Sequence, residues 1–361
     1  MSSADDIIRR LVYAPARLWL RRRPVSLPLD KNRVQKILLL RTDAIGDMIV
    51  TTPMLTVLKE RLGATIDIVA SPRNASVIQG DPRVRKIFVF DGSIKSLFAV
   101  RRSTRRENYD LVIALVLHKT TKGGLYANLW AGREALTVTF AHDSRTRSYE
   151  TWFSAQVDVN RDATTMADMQ VQLLNRVFGW DVHAKDYPLT LHLPPTIPVA
   201  WAGHPRIVLN MSSGNAYRMW SHERNAQFLT LLREQFPTAH VVLMAHGKQL
   251  PMAEQLVKEF LGYTELLPAF NDVLDSIAAM RGADLVITPD TSIVHGAAAL
   301  GIPVVAIYSH KTSFLNQWMP HGVPFRAVIT DGAVDVDTIE PSRVVDAVVE
   351  LLSDVAEVRS N

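Results

Sequence analysis

The sequence predicts an α/β protein built around two doubly wound parallel sheets. Short apolar runs alternate with segments of helical periodicity along most of the 361 residues, and this alternation is typical of parallel sheets covered by helices. The alternation occurs twice, before and after a stretch at 187–205 that contains five prolines. Because a proline-rich stretch without helical periodicity is typical of a connection between domains, we expect two Rossmann-like domains of one architecture.

The first half contains four apolar runs of strand length and four segments with helical periodicity. The predicted strands are 36–40, 66–70, 86–90 and 110–117. The predicted helices are 48–62, 73–79, 94–106 and 166–178. Arginines cluster at the end of the third segment, and they are either a solvated helix face or a contact for an anionic acceptor.

The second half repeats this pattern, with strands predicted at 206–210, 240–244, 285–287 and 304–308. Predicted helices are 225–235, 252–260, 273–281, 291–300 and 342–358. Asp290, Thr291 and Ser292 are residue types that begin helices, and Gly301 suits a left-handed stop after Leu300. A polar strand-to-helix turn at this position is where open α/β sheets bind ligands, and a helix N-terminus favours phosphate. An ordinary, well-capped βαβ unit is the alternative.

Composition and charge exclude several classes of protein. The chain has no cysteine, which rules out disulfides, thiolate metal sites and a cysteine nucleophile. The net charge of +4 is concentrated in residues 1–36, which hold nine Lys or Arg against three Asp, so nucleic-acid binding is not expected. We expect no signal peptide and no membrane span, and a cytoplasmic location. The basic amphipathic residues 1–23 predict contact with an anionic membrane surface, or packing on the protein's own core.

Two loops after predicted strands carry candidate functional residues. Asp47 follows Gly46 at the end of the first strand, and its carboxylate can be a general base or simply a helix cap. Ser212, Ser213 and Gly214 follow a strand of the second half, and the guanidinium of Arg218 can donate two hydrogen bonds to a phosphate. That loop can equally be a polar surface loop. Neither a Walker A sequence nor a GxGxxG fingerprint is present, and the histidines lack metal-ligand spacing, so we expect no metal and no cofactor.

Three motifs occur in order along the chain. They are Arg41-Thr-Asp-Ala-Ile-Gly-Asp47 with Thr51-Thr-Pro53, Ser212-Ser-Gly214 with Arg218-Met-Trp220, and Asp290-Thr-Ser-Ile-Val-His295. Together they resemble the heptosyltransferases of glycosyltransferase family 9, which act in lipopolysaccharide core synthesis. The resemblance covers about residues 35–350. It implies a GT-B architecture, with two Rossmann-like domains facing across a cleft and a last helix that crosses back to the first domain.

The resemblance also implies roles for individual residues and boundaries for the domains. Asp47 matches the catalytic base, and the diphosphate is neutralised by Arg218, where the family often has Lys. Donor binding is implied for Ser212, Ser213, Gly214, Arg218, Asp290, Thr291, Ser292 and His295. Acceptor binding is assigned to Thr51, Thr52, His118 and Lys119. The expected divisions are an arm and linker at 1–32, an acceptor domain at 33–187, a linker at 188–204, a nucleotide-sugar domain at 205–340 and a final helix at 341–361.

We therefore expect an inverting, metal-independent transfer of L-glycero-D-manno-heptose from ADP-heptose to an anionic, lipid-linked acceptor of the lipopolysaccharide inner core. The enzyme would lie at the inner face of the cytoplasmic membrane. Ser292 stands where the family commonly has Gly, and Arg218 changes the geometry of the cation, so the donor is the least determined part. Transfer from another nucleotide sugar, transfer to a protein acceptor, and a non-catalytic nucleotide-binding scaffold remain alternatives.

Overall fold

A computed structural model of the chain describes residues 20–115, 120–141, 150–161, 164–195, 199–312 and 315–360. The chain divides between Tyr187 and Pro188 into two compact units. In its described part, each unit is built around one six-stranded sheet whose neighbouring strands all run parallel.

The first unit contains strands β1 to β6 and helices α1 to α5. Its strands are β1 (Lys36–Arg41), β2 (Thr65–Ala70), β3 (Val84–Val89), β4 (Leu111–Ala114), β5 (Leu136–Phe140) and β6 (Ala155–Val157). Its helices are α1 (Ile45–Ile49), α2 (Thr52–Leu62), α3 (Ile94–Thr104), α4 (Thr120–Trp130) and α5 (Met166–Phe178). The strands lie in the order β3-β2-β1-β4-β5-β6.

The second unit contains strands β7 to β12 and helices α6 to α10. Its strands are β7 (Arg206–Asn210), β8 (His240–Met244), β9 (Thr264–Leu266), β10 (Leu285–Pro289), β11 (Val304–Tyr308) and β12 (Phe325–Ile329). Its helices are α6 (His222–Gln235), α7 (Leu250–Glu259), α8 (Val273–Ala279), α9 (Ser292–Ala299) and α10 (Pro341–Ser360). The strands lie in the order β12-β11-β10-β7-β8-β9.

Both sheets have the same topology when each is numbered from its own first strand. The first strand lies beside the fourth in each sheet: β1 pairs with β4 and β7 with β10. The order of connections reverses at this pair, and open α/β sheets bind ligands at the carboxyl ends of the strands there. The loops after β1 and β4, and those after β7 and β10, are therefore the places to look for a site.

The central strands are buried along almost their whole length, because helices cover both faces of a parallel sheet. In β1, the residues from Ile37 to Arg41 are all buried, and β10 is buried from Leu285 to Pro289. Burying each Leu or Ile side chain contributes about 1.5–3 kcal/mol, so these continuous apolar runs stabilise the sheets and hold their carboxyl ends in place.

Most predicted elements are confirmed, with shifts of a few residues at their ends. Helix 166–178 is confirmed at both ends as α5, and Gly301 closes the region of α9 with a φ of 71°. The predicted helix 48–62 was wrong in one respect, because the chain forms two helices, α1 and α2. Between them the hydroxyl of Thr51 donates to the Asp47 carbonyl at 2.8 Å, and Pro53 has no N–H for a continuous helix.

Other parts of the secondary structure were not predicted correctly. The expected helix at 73–79 is only a single 3₁₀ turn, Ser76–Ile78. Strands β5, β6, β9 and β12 and helix α4 were not predicted. Strands β6 and β9 have three residues each, which is too short for a period-two pattern to stand out.

The last helix, α10, packs against α6 and β12 of the second unit. Its predicted crossing to the first domain stays a prediction, as do the domain boundaries drawn from the sequence. No helix in the described ranges combines the length and apolar character needed to span a bilayer.

Candidate active site

The first candidate site lies in the loop after β1 and in the short helix α1. Asp47 is the third residue of α1, and its side chain is 14% exposed. Its Oδ2 accepts a hydrogen bond from the backbone N–H of Ala44 at 3.0 Å, which satisfies one of the free donors at the start of the helix. Asp47 therefore has the capping role that the sequence left open, and its second oxygen makes a separate contact.

Arg41, the last residue of β1, contacts the second carboxylate oxygen of Asp47. The Arg41 residue is only 1% exposed. Its Nη2 lies 2.9 Å from Asp47 Oδ1, although the N–H is not aligned for a hydrogen bond. The same guanidinium donates through Nε to the Asp47 carbonyl at 3.0 Å and through Nη1 to the Leu115 carbonyl at 2.7 Å. Arg41 also pairs with Asp43 at 3.4 Å. A buried cation thus joins the ends of β1 and β4 and holds the carboxylate of Asp47 in one orientation.

Asn74 is a second buried residue that braces this loop. Its side-chain amide donates to the carbonyls of Arg41 and Asp43 at 3.1 and 3.3 Å, and its Oδ1 accepts from the backbone N–H of Ser71. Asn74 is completely buried. Because a buried amide is costly unless its hydrogen bonds are made, these contacts restrict the loop that carries Asp47.

Four residues of this unit were assigned to acceptor binding. Thr51 and Thr52 are fully buried, and their hydroxyls donate to backbone carbonyls of α1 at 2.8 Å. Contact between these two residues and an acceptor stays a prediction, which their burial does not favour. His118 and Lys119 lie outside the described residues, and their role also stays a prediction.

The second candidate site begins in the loop after β7. The side chain of buried Asn210 donates to Thr288 Oγ1 at 2.9 Å and to Thr291 Oγ1 at 3.3 Å, and it accepts from Ser212 N–H at 3.1 Å. Ser212 Oγ accepts from the backbone N–H of His246 at 2.7 Å. Asn210 therefore ties the loop after β7 to the loop after β10.

Ser213 and Gly214 form the outer part of this loop. Ser213 Oγ accepts from the backbone N–H of Asn215 at 3.3 Å. Gly214 is exposed, and a Cβ added there would meet no atom within 4 Å. The free protein therefore does not require glycine for its own packing at 214.

Arg218 and Asp290 form an ion pair that links the same two loops. Arg218 Nη1 lies 3.0 Å from Asp290 Oδ2 and donates to the Asp290 carbonyl at 2.9 Å. The Nε of Arg218 is buried and has no hydrogen-bond partner among the described residues. Burial raises the pKa of Asp290, while Arg218 and the hydroxyl of Thr312 act in the opposite direction. Arg218 is thus fixed through one terminal nitrogen and keeps other N–H donors for a ligand.

Helix α9 begins shortly after Asp290, the partner of Arg218. Thr291 is its N-cap, and its Oγ1 accepts from Ile293 N–H at 3.3 Å. Ser292 is the first helical residue and is partly exposed, whereas His295 is 4% exposed and its ring lies 6.3 Å from that of Trp318. The start of α9 presents backbone N–H groups and a positive dipole end beside Arg218, which is suited to binding an anion.

The structure therefore brings together Ser212, Arg218, Asp290 and Thr291, which the sequence had indicated in two separate motifs. The sequence alone indicated no role for Arg41, Asn74 or Asn210. Arg41 carried one signal, since a charged residue directly after four buried apolar residues is uncommon, but nothing in the sequence indicated its partners. Within the described ranges, no group of three or more His, Asp or Glu side chains could hold a metal ion.

Comparison with solved structures shows the fold. The family 9 glycosyltransferase of Veillonella parvula superposes with a TM-score of 0.71 at 18% identity, over 91% of this chain and 99% of that one. The E. coli heptosyltransferase WaaC with ADP gives 0.68 at 19% identity, over 87% and 99%. E. coli ADP-heptose lipopolysaccharide heptosyltransferase II gives 0.65 at 18%, over 89% and 99%. These likenesses confirm the predicted α/β class and GT-B type.

Comparison of the sequence itself gives the family. No curated protein matches the chain. The profile of glycosyltransferase family 9 (heptosyltransferase) matches residues 97–323, more than half of the 361 residues. The matched range includes the whole cluster from Ser212 to His295, while Asp47 lies before it. The chain therefore belongs to glycosyltransferase family 9, the heptosyltransferase family, and is a glycosyltransferase.

Proposed function

We propose that this enzyme transfers L-glycero-D-manno-heptose from ADP-heptose to a sugar hydroxyl of the lipopolysaccharide inner core, with inversion and without a metal ion. The observation that carries this proposal is the Arg218–Asp290 pair at the start of α9 in a chain of family 9. The E. coli heptosyltransferase WaaC, which has the same fold, has been solved with ADP and with ADP-2-deoxy-2-fluoro heptose, which favours ADP-heptose as the donor.

In this proposal the second unit binds the donor. The N–H groups at the start of α9 and the free N–H donors of Arg218 hold the diphosphate, and Gly214 lets it approach the backbone. Negative charge develops on the diphosphate as the bond to the sugar breaks, and fixed positive groups stabilise that charge most in the transition state. Asp290 keeps Arg218 in place, so little reorganisation is needed during the reaction. With these groups present, the leaving diphosphate needs no metal.

The first unit activates the acceptor. Asp47 takes the proton of the acceptor hydroxyl as its oxygen attacks the anomeric carbon, and the carbon–oxygen bond to ADP breaks on the opposite face. The configuration at that carbon is thereby inverted in a single displacement. Each carboxylate oxygen can accept more than one hydrogen bond, so the contacts with Ala44 and Arg41 leave acceptor positions on Asp47. Arg41 acts as a positioning residue for this carboxylate.

The acceptor and the location of the enzyme are also proposals. The acceptor is an anionic, lipid-linked saccharide, and the basic residues 1–23 contact the inner face of the cytoplasmic membrane. All but the last four of those residues lie outside the described part of the chain. Sedimentation with anionic vesicles, before and after removal of residues 1–19, tests the arm; unchanged binding would remove it from the proposal.

The test of the donor is calorimetric titration with ADP, UDP and GDP in the presence of EDTA. We expect selective binding of ADP. Arg218→Gln should weaken that binding by about tenfold or more, because a hydrogen bond from a charged group to the diphosphate is lost. Arg224→Gln is the matched control, since Arg224 is also an ion-paired arginine of the second unit, with Glu340 as its partner.

Other results of the nucleotide titration would change the proposed donor or contradict the proposed function. Preference for UDP or GDP would retain the fold and the displacement but replace the donor. Absence of binding by all three nucleotides, together with no sugar transfer to a lipopolysaccharide extract, would contradict the proposal. Nucleotide binding without any sugar transfer to that extract would also contradict it and would support the nucleotide-binding scaffold.

A further inference from the structure

Helix α3 of the first unit exposes apolar side chains that no part of the described chain covers. Ile94 is 75% exposed and Phe98 55% exposed, and Val89 at the end of β3 is 47% exposed. These are three of the five large hydrophobic side chains that are exposed among the described residues; the others are Leu261 and Val358. Exposed apolar groups that cluster within ten residues indicate a contact surface more strongly than scattered ones do.

Basic side chains surround these apolar groups. Lys95, Arg101, Arg102 and Arg106 are all exposed, and the residues of α3 include no Asp or Glu. Ile94, Phe98 and Arg101 are spaced by four and three residues and so lie on one stripe of the helix, whereas Val100 and Thr104 of the same helix are buried. We call the exposed residues Ile94, Lys95, Phe98, Arg101, Arg102 and Arg106 the α3 face.

The positive charge of the α3 face is not neutralised within the described chain. None of Arg101, Arg102 and Arg106 forms an ion pair with a described residue. Burial lowers the pKa of Arg105, and repulsion from Arg101 and Arg133 lowers it further. This repulsion between neighbouring guanidinium groups favours an anionic partner.

The carboxylates at the two ends of α3 are already engaged. Asp91 accepts hydrogen bonds from Ser93 and Ser96 at the start of the helix. Glu107, beyond its end, forms ion pairs with Lys36, Arg85 and Lys86. The charge of Glu107 is therefore compensated by these three cations, and Asp91 forms no ion pair with the described arginines of the α3 face.

We propose that the α3 face docks the enzyme on a lipid bilayer that contains anionic lipids. Phe98 and Ile94 enter the boundary between head groups and acyl chains, while Lys95 and the arginines contact lipid phosphates. A soluble anionic saccharide would account for the arginines but would leave Ile94 and Phe98 in contact with polar groups. A bilayer surface accounts for both, because it combines negative charge with an apolar layer directly beneath it.

The position of the chain's first described residue supports this assignment. Leu20 packs against the same core cluster as Leu97 of α3, together with Tyr126 and Leu129. Arg22 donates to Asn128 and to the carbonyl of Gly132 at 2.6 and 2.9 Å. Residues 1–19, whose sequence is rich in arginine, are thus joined to the described chain beside α3.

The absence of cysteine allows a direct test with the full-length chain. Phe98→Cys gives a single labelling position for an environment-sensitive fluorophore, and Leu261→Cys is the matched control at an exposed apolar residue of the second unit. Vesicles of phosphatidylcholine with phosphatidylglycerol should shift the emission of the label at 98 to the blue. Vesicles of phosphatidylcholine alone, and the label at 261, should give no shift. Sedimentation of the protein without a shift at 98 would overturn the proposal, since the arm alone would then bind.

Sedimentation of unlabelled variants measures the contribution of each part. The double variant Ile94→Ser/Phe98→Ser should partition into the anionic vesicles about tenfold less, or less still. Changing any one arginine of the α3 face to Gln should reduce this partitioning by roughly fivefold. Leu261→Ser with Val358→Ser is the apolar control and should bind as the wild type does. Binding of the Ile94→Ser/Phe98→Ser variant at the wild-type level would also contradict the proposal.

A measurement of sugar transfer distinguishes a membrane-docking role of the α3 face from a role in acceptor binding. The vesicle assays above need no donor, so they test the α3 face independently of the proposed function. With a water-soluble acceptor and no lipid, the Ile94→Ser/Phe98→Ser variant should transfer sugar at the wild-type rate. Loss of that activity in a folded variant would place the α3 face in acceptor binding and overturn the membrane assignment.

Discussion

Replacement of Asp47 by asparagine tests the proposed general base with the least disturbance to the structure. The asparagine carbonyl can still accept the hydrogen bond from Ala44 N–H, which Oδ2 accepts at 3.0 Å. What is lost is the negative charge 2.9 Å from Arg41 Nη2 and the ability to take a proton. An alanine would remove the helix cap as well, so the amide gives the clearer result.

The structure separates the expected loss of activity from the expected loss of stability. A positioned general base contributes about 10²–10⁴ in rate, which is about 3–5.5 kcal/mol of activation free energy. Loss of the charged contact should lower the free energy of unfolding by only about 1–2 kcal/mol, because Arg41 keeps its bonds to Leu115 and to the Asp47 carbonyl. That corresponds to roughly 2–4 °C in Tm for each kcal/mol, so the variant stays folded under assay conditions.

The assay is mass spectrometric detection of the glycosylated acceptor, with ADP affinity measured by calorimetry on the same preparations. We expect Asp47→Asn to lose turnover and to bind ADP as the wild type does. Asp43→Asn is the matched control, since Asp43 contacts the same guanidinium at 3.4 Å and is 42% exposed. Turnover of Asp47→Asn within about tenfold of the wild type would refute the role of the base. An equal loss in Asp43→Asn would show that the effect acts through Arg41 and the loop.

Three further predictions concern other described residues. Gly214→Ala adds a methyl group that meets no atom within 4 Å, so we expect unchanged thermal unfolding but ADP binding weaker by about tenfold or more; unchanged affinity would remove Gly214 from the donor site. Gly296→Ala would place a methyl group 2.6 Å from Ile277 Cγ1, which should lower the free energy of unfolding by about 1–3 kcal/mol in a denaturant titration; an unshifted midpoint would show that α8 and α9 separate without cost. Hydrogen bonds from Lys86, and also from Arg85 and Lys36, lower the pKa of Glu107 from 4.5 to about 2. A lowered pKa of a carboxyl group in the folded state contributes stability above pH 4.5 that is lost as the pH falls towards 2. Glu107→Gln should therefore lower the free energy of unfolding at neutral pH, and this free energy should depend less on pH between 4.5 and about 2. If the variant loses stability in acid as the wild type does, the lowered pKa of Glu107 is contradicted.

The sequence by itself determined the class of fold and the loops in which functional residues lie. Buried parallel strands need continuous apolar residues on both faces, so β1, β7, β8 and β11 stand out as short runs such as Ile37 to Leu40. Helix ends carry local chemistry, which is why the start of α9 was predicted at Asp290 to Ser292, where Thr291 is the N-cap, and its stop at Gly301. Asp47, Ser212 and Asp290 each follow a predicted strand, and Asp47 and Asp290 also lie directly before a predicted helix. The sequence therefore predicted that they lie at the carboxyl edges of the sheets.

Local signals were insufficient where a residue's state depends on distant partners. Thr51 and Thr52 look like exposed polar residues in the sequence, yet both are buried because their hydroxyls bond carbonyls at the break between α1 and α2. The short strands β6 and β9 are defined mainly by pairing with β5 and β8. No pattern within three residues can report that pairing.

Only the tertiary structure decided how the functional side chains are held. Arg41 reaches Leu115, which is 74 residues away along the chain, and Asn210 reaches Thr288 across 78 residues. These contacts exist because β4 lies beside β1 and β10 beside β7, an order created by the crossover of the chain. A buried polar group needs partners that close its hydrogen bonds, and the sequence shows the group but not the partners. The loops could therefore be predicted, whereas the fixed orientation of Asp47 and Arg218 could not.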